Sequence, residues 1–146
     1  MHPMTNIAIR AARDGGRILM RYFDRVDAIK IETKSRNDFV SDVDRAAEEA
    51  VIQTISKAYP KHAILAEESG EHDGNAYQWI IDPLDGTTNF IQGIPQYAVS
   101  VGVSIADRVE FGVILDPSKD DVFAAGRGLG TTWNDMPCRV SSRTSL

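Results

Sequence analysis

The sequence holds a single cysteine, Cys138, so no disulfide can form within the chain and a reducing cytoplasm is the expected setting. Long apolar runs are missing. Nothing approaches the roughly 18 uninterrupted apolar residues of a membrane span. In the opening MHPMTNIAIRAARDGG, Arg10, Arg13 and Asp14 intervene before the apolar core of a secretory signal could form. No membrane partner is therefore expected. Basic charge is in deficit, with 16 Lys and Arg against 21 Asp and Glu and a net charge of -5. Nucleic-acid binding relies on Lys and Arg to displace phosphate counterions, so no direct nucleic-acid contact is expected. The histidines His2, His62 and His72 have no ligand-like spacing and read as solvated. Repeats and low-complexity tracts are lacking too.

What is present suits one globular domain of ordinary composition, 146 residues with 42% hydrophobic and 25% charged. Met4, Ile7, Ala8, Ala11, Gly15, Ile18, Leu19 and Tyr22 fall on one helical face, predicting a helix that ends near Asp24. A second helix is predicted from about Asp42 to Ala58, with Ala47, Ala50, Val51, Thr54, Ile55 and Ala58 as its inner stripe and Pro60 as its stop. The polar stretch Thr33–Asp38 between them reads as a loop. Ala63–Ala66 and Gln78–Ile81 read as short buried strands. Tyr97–Ile105 alternates, with Val99, Val101, Val103 and Ile105 on one face and Ala98, Ser100, Gly102 and Ser104 on the other. The small face is where a helix could pack closely. Phe111–Leu115 and Val122–Ala125 follow across short turns, which require antiparallel neighbours. The fold class expected is α+β, two long helices packed on an antiparallel sheet.

The chemistry concentrates in Trp79-Ile80-Ile81-Asp82-Pro83-Leu84-Asp85-Gly86-Thr87-Thr88-Asn89-Phe90. A buried strand ends at Asp82, and Pro83 holds that residue extended. Two aspartates three apart on a turn can converge on one hard cation. Gly86 permits close backbone approach, and the amides and hydroxyls of Thr87 and Thr88 can take phosphate oxygens. A plain turn is the ordinary reading of Asp-Pro-x-Asp-Gly; the adjoining Gly-Thr-Thr-Asn-Phe argues against it. Glu67-Glu68-Ser69-Gly70 lies at another strand end. Alone it would be solvated surface; beside Asp82 and Asp85 it would complete an oxygen-only site of the kind that suits Mg²⁺. Ser41-x-x-Asp44 reads by itself as a helix start, and Lys34 as an exposed loop lysine. Trp133 and Phe90 read as core.

Together WIIDPLDGTTNF, LAEESG and KSRNDFVSDVD resemble the inositol monophosphatases, in the same order and over essentially the whole chain. The opening MHPMTNIAIRAAR is similar to the bacterial extragenic-suppressor members. The resemblance implies the layered αβαβα sandwich of sugar phosphatases, residues 1–146 being its N-terminal metal- and phosphate-binding domain. It implies Glu67, Asp82 and Asp85 as carboxylate ligands of magnesium, with Leu84 offering its carbonyl. Gly86, Thr87 and Thr88 would hold the substrate phosphate. Glu67, Thr87 and Asp44 would be catalytic, Thr87 placing the attacking water and Asp44 supporting it. Lys34 would be a loop contact, and Glu68 would stand behind the ligands.

The implied activity is in-line hydrolysis of a small phosphorylated polyol, myo-inositol 1-phosphate first among them, in the cytoplasm and with a homodimer as a candidate assembly. The family pattern also includes a second half of similar length, with another metal-binding aspartate and most sugar-alcohol contacts. These 146 residues do not contain it, so weak activity is expected of them alone. The extragenic-suppressor likeness implies an alternative role, binding a protein of the transcription and ribosomal-RNA antitermination machinery.

Overall fold

A computed structural model describes residues 2–28 and 33–145, apart from the side chains of 27, 28, 33 and 34. Two 26-residue helices, α1 (Pro3–Ala28) and α2 (Thr33–Ala58), precede the strands β1 (Ala63–Ala66), β2 (Gly70–His72) and β3 (Tyr77–Asp85). A short helix α3 (Thr87–Ile91) follows. The chain then runs through β4 (Ala98–Ile105), β5 (Arg108–Asp116), β6 (Asp121–Gly126), β7 (Gly130–Trp133) and β8 (Met136–Cys138). All eight strands form one sheet in the order β2-β1-β3-β4-β5-β6-β7-β8. None of the described helices is long and apolar enough to cross a membrane.

The helices pack against one face of the sheet. Ala8, Ala11, Leu19 and Val26 of α1 and Val43, Ala47, Val51 and Ile55 of α2 meet Trp79, Ile81, Val99, Val101, Val103 and Val113, all buried. Gly15 is where α1, α2 and β4 come closest. A methyl group there would lie 2.7 Å from Val51 Cγ2 and 3.8 Å from Val99 Cγ1, so the absent side chain sets the spacing of the layers. Thr54 faces α1, where its hydroxyl donates to Asp14 Oδ2 at 2.5 Å.

Several expectations are corrected. α1 continues past Asp24 to Ala28, because Val26 extends the buried stripe and no glycine or proline stops it. α2 begins at Thr33, so Thr33–Asp38 is helix and Ser41-x-x-Asp44 lies inside it. Val40 and Val43 extend the inner stripe toward the N-terminus, and the polar residues before them contain no breaker. The sheet is mixed: β1 and β3 run parallel, while the other pairs are antiparallel. The helices cover the valine face of β4, and Ser100 and Gly102 lie on the opposite face. That face is left open by the described helices and displays Ile80, Ile114, Phe123 and Trp133. Trp133 is therefore not core; it stacks on Phe123 with ring centroids 6.0 Å apart. Phe90 is fully buried as expected.

His62 is not solvated. It is sandwiched between Tyr59 and Tyr77 at centroid distances of 4.6 and 4.8 Å. Its Nδ1 accepts the Trp79 Nε1–H at 3.0 Å.

Candidate active site

The parallel pairing of β1 with β3 brings two distant sequence segments to one edge. Ala66 lies beside Ile81, so the next residues, Glu67 and Asp82, are level with each other. The Glu67 amide extends the ladder by donating to Ile81 O at 3.2 Å. Side chains alternate along extended chain, so Glu67 falls on the Asp82 side and Glu68 on the α2 side.

β3 carries a bulge at this edge. Asp82 pairs with Ser100 and Asp85 with Ala98, three residues against two. In a regular strand, residues three apart point to opposite faces; the extra residue returns Asp85 to the face of Asp82. Pro83 suits the bulge because it has no amide hydrogen to leave unpaired. The Leu84 amide donates to Asp82 Oδ1 at 3.2 Å, and the Thr87 hydroxyl donates to Leu84 O at 3.1 Å. Between them Gly86 takes φ 95°, a left-handed conformation that begins α3, and its carbonyl accepts the Phe90 amide at 3.0 Å. Phe90 is packed against Phe23 and Tyr97 at 5.3 and 5.0 Å, which anchors α3 and the turn to the core.

Behind the strand ends, α2 presents Asp44 and Glu48, one turn apart and both buried. Asp44 shares a hydrogen bond with Glu68. Its carboxyl is pushed up to about 8, first by burial and then by the negative charges of Glu68, Glu67 and Asp82. Its Oδ1 is buried and has no hydrogen-bond partner among the described residues. Glu67 is pushed up to about 7, first by the hydrogen bond it shares with Asp82, then by burial and by the charges of Asp82, Glu68 and Asp85. Glu48 accepts the amides of Glu68 at 2.7 Å and Ser69 at 2.9 Å.

These groups form two carboxyl pairs, Glu67 with Asp82 and Asp44 with Glu68, and the charges that raise Asp44 and Glu67 are all acidic. A proton or a cation relieves such a cluster, and an all-oxygen donor set suits a hard divalent ion. Among the described residues no three acidic, thiol or imidazole side chains close on one point as a finished cage. Mg²⁺ does not demand one: it keeps several waters and is usually held by one or two carboxylates plus substrate phosphate. The residues present fit a divalent cation in that manner.

The inositol monophosphatase family matches residues 1–146. The chain belongs to the inositol monophosphatase family. Its two long helices on a mixed sheet are the fold of the solved inositol monophosphatases it resembles. Nus factor SuhB of Pasteurella multocida is 47% identical over 148 aligned residues, which span all of this chain and 55% of that protein. Extragenic suppressor protein suhB of Bartonella henselae superimposes with a TM-score of 0.87 at 40% identity, covering 97% of this chain and 56% of the other. Inositol monophosphatase from Anabaena superimposes with a TM-score of 0.81 at 38% identity, covering 97% and 50%. The chain thus spans about half the length of these relatives.

In this member of the family, Glu67 and Asp82 meet directly, and the charge of Asp85 reaches Glu67. Leu84 and Thr87 are linked through the carbonyl that the family resemblance assigned to the cation. Gly86 forms the turn; Thr88 is exposed beside it. Asp44 faces Glu68 from inside α2, not from a helix start. The Lys34 side chain lies outside the described residues. Glu48 escaped the sequence reading. Its signal was available: Asp44, Ala47, Glu48, Val51 and Ile55 make one inner stripe, and an acid within such a stripe must have a partner.

Proposed function

We propose that the protein is a magnesium-dependent phosphomonoesterase acting on a small phosphorylated polyol, myo-inositol 1-phosphate first among them. Residues 1–146 are its N-terminal metal- and phosphate-binding domain. The observation that carries this reading is the Glu67–Asp82 pair, brought level by the parallel strands, with the Glu67 carboxyl pushed up to about 7 first by its hydrogen bond to Asp82, then by burial and neighbouring negative charge. Glu67, Asp82, Asp85 and the Leu84 carbonyl would hold the cation. A bound Mg²⁺ supplies charge neutralisation on the phosphate and activation of a water at neutral pH.

The chain's own residues do the rest. The bulge aims Asp82 and Asp85 to one face. Gly86, Thr87 and Thr88 offer backbone and hydroxyl groups to phosphate oxygens, and Thr87 with Asp44 orients the attacking water. Asp44, held near neutrality, can donate or accept a proton at its unpartnered Oδ1. The lone cysteine supports a cytoplasmic setting. A homodimer is part of the reading, supported by the open apolar face bearing Ile114, Phe123 and Trp133.

The test pairs calorimetric titration with Mg²⁺ and phosphate release from a panel of monoesters. Saturable binding and release that stops on chelation are expected. Release that is indifferent to chelation, or no cation binding, would refute the reading. The name Nus factor borne by the Pasteurella relative favours a second reading, a protein-binding role in transcription. It separates cleanly: Asp85→Asn would remove turnover yet still complement a strain lacking its own relative.

A further inference from the structure

Glu48 is 3% exposed, and among the described residues its oxygens meet backbone amides. Oε2 accepts the Glu68 amide and Oε1 the Ser69 amide, at 2.7 and 2.9 Å. One carboxylate from α2 thereby spans two consecutive amides of the link between β1 and β2. The same link is tied on its other side by the Glu67 amide to Ile81 O. The side chains of the link make contacts of their own, Glu67 with Asp82, Glu68 with Asp44 and Ser69 Oγ with His72 Nε2 at 2.8 Å, while Glu48 holds its backbone. Burying an acid beside Asp44 and Glu68 is a costly way to cap a turn when a neutral serine or asparagine could accept one amide. What the carboxylate adds is two coplanar acceptors that fix two successive peptide planes at once.

We infer that Glu48 is a positioning residue. By clamping the amides of Glu68 and Ser69, it sets the direction in which Glu67 leaves β1, and so the meeting of Glu67 with Asp82. This rests on the reading of Glu67 as a cation ligand. Glu48 touches neither cation nor substrate; it acts through the backbone beside Glu67.

Glu48→Gln tests it. The amide is isosteric but replaces one acceptor with a donor, so one of the two clamps is lost. Hydrogen exchange at the Glu68 or Ser69 amide should quicken at least about tenfold. The Mg²⁺ dissociation constant, read by calorimetry without substrate, should rise about 10- to 100-fold, the usual effect of removing a group that orients a ligand. Glu49→Gln, on the exposed side of the same helix, should change neither. Glu48→Asp keeps both oxygens but falls one methylene short, and should lie between.

Faster exchange with unchanged Mg²⁺ affinity would make Glu48 scaffold alone and overturn the inference. So would unchanged exchange, or loss of fold in both variants. A wild-type protein that binds no Mg²⁺ would sink the reading of Glu67 itself. Equal binding by wild type and variant would sink only the role of Glu48.

Discussion

Gly86→Ala probes the turn that joins Asp82 and Asp85 to Thr87 and Thr88, and two terms set its size. An alanine at φ 95° carries the left-handed penalty, about 1–2 kcal/mol. Its Cβ would stand 3.0 Å from Gln96 O, 3.2 Å from Tyr97 Cα and 3.3 Å from Tyr97 Cβ. Tyr97 is buried against Phe23 and Phe90 and cannot retreat, so crowding adds about 1–3 kcal/mol. The stiffer unfolded chain returns about 0.4–1 kcal/mol. The net loss is about 3 kcal/mol, and at roughly 3–4 °C per kcal/mol for a domain of this size the melting temperature should fall about 10 °C.

Gly70→Ala isolates the first term, since its φ is +79° and no atom lies within 4 Å of the added methyl. It should lose only about 1 kcal/mol. Gly112→Ala, with neither positive φ nor a close neighbour, should melt like the wild type or slightly higher. Circular-dichroism melts of the three variants beside the wild type decide the matter. If Gly86→Ala melts with Gly70→Ala, the Tyr97 wall is not rigid and the anchoring of this turn by the core is wrong.

Asp85→Asn should leave the melt intact while Mg²⁺-dependent phosphate release falls by orders of magnitude, because an amide is isosteric but a weak ligand for a hard cation; retained turnover would remove Asp85 from the ligand set. His62 gives the pH dependence. Burial lowers its pKa from 6.5, so the folded state refuses a proton that the unfolded state accepts. Its contribution is intact above about pH 6.5 and is lost as pH falls through that value toward the lower folded one. Melting of the wild type should therefore drop more between pH 7.5 and 5.5 than melting of His62→Gln, and parallel curves would refute the assignment. Phe90→Ala should cost about 3–5 kcal/mol by emptying the aromatic cluster under α3; urea unfolding showing under 1 kcal/mol would mean that α3 is not anchored there.

Periodicity in the sequence identified both long helices and the valine face of β4, because those patterns are local. Glu67 and Asp82 were equally legible, since each directly follows an apolar run, although β3 does not end at Asp82 as expected but continues through the bulge to Asp85. Features that depend on pairing were not. The ten residues from Glu67 to Ala76 do not reveal that β2 folds back along the outer edge of β1 and leaves β3 parallel on the inner one. The bulge at Pro83-Leu84 is a relation between β3 and β4, invisible in either strand alone. Polar composition misled at Thr33–Asp38, where helix-compatible residues were taken for a loop. His62 misled for a similar reason: its aromatic neighbours come from Tyr59 in the turn after α2 and from Tyr77 at the start of β3.

The sheet's unequal faces also divide the protein's intrinsic light emission. Trp79 is fully buried under the helices, while Trp133 is 48% exposed on the other side. Excitation at the indole band therefore addresses two separate environments, one blue-shifted and sealed from acrylamide, the other red-shifted and quenchable. Anything that settles on the open face, a second copy or another protein, should shield Trp133 and leave Trp79 undisturbed. Loss of helix packing should do the reverse. Trp133→Phe would leave a single emitter for the helix side, so folding and surface occupancy can be followed separately in one cuvette without an added dye.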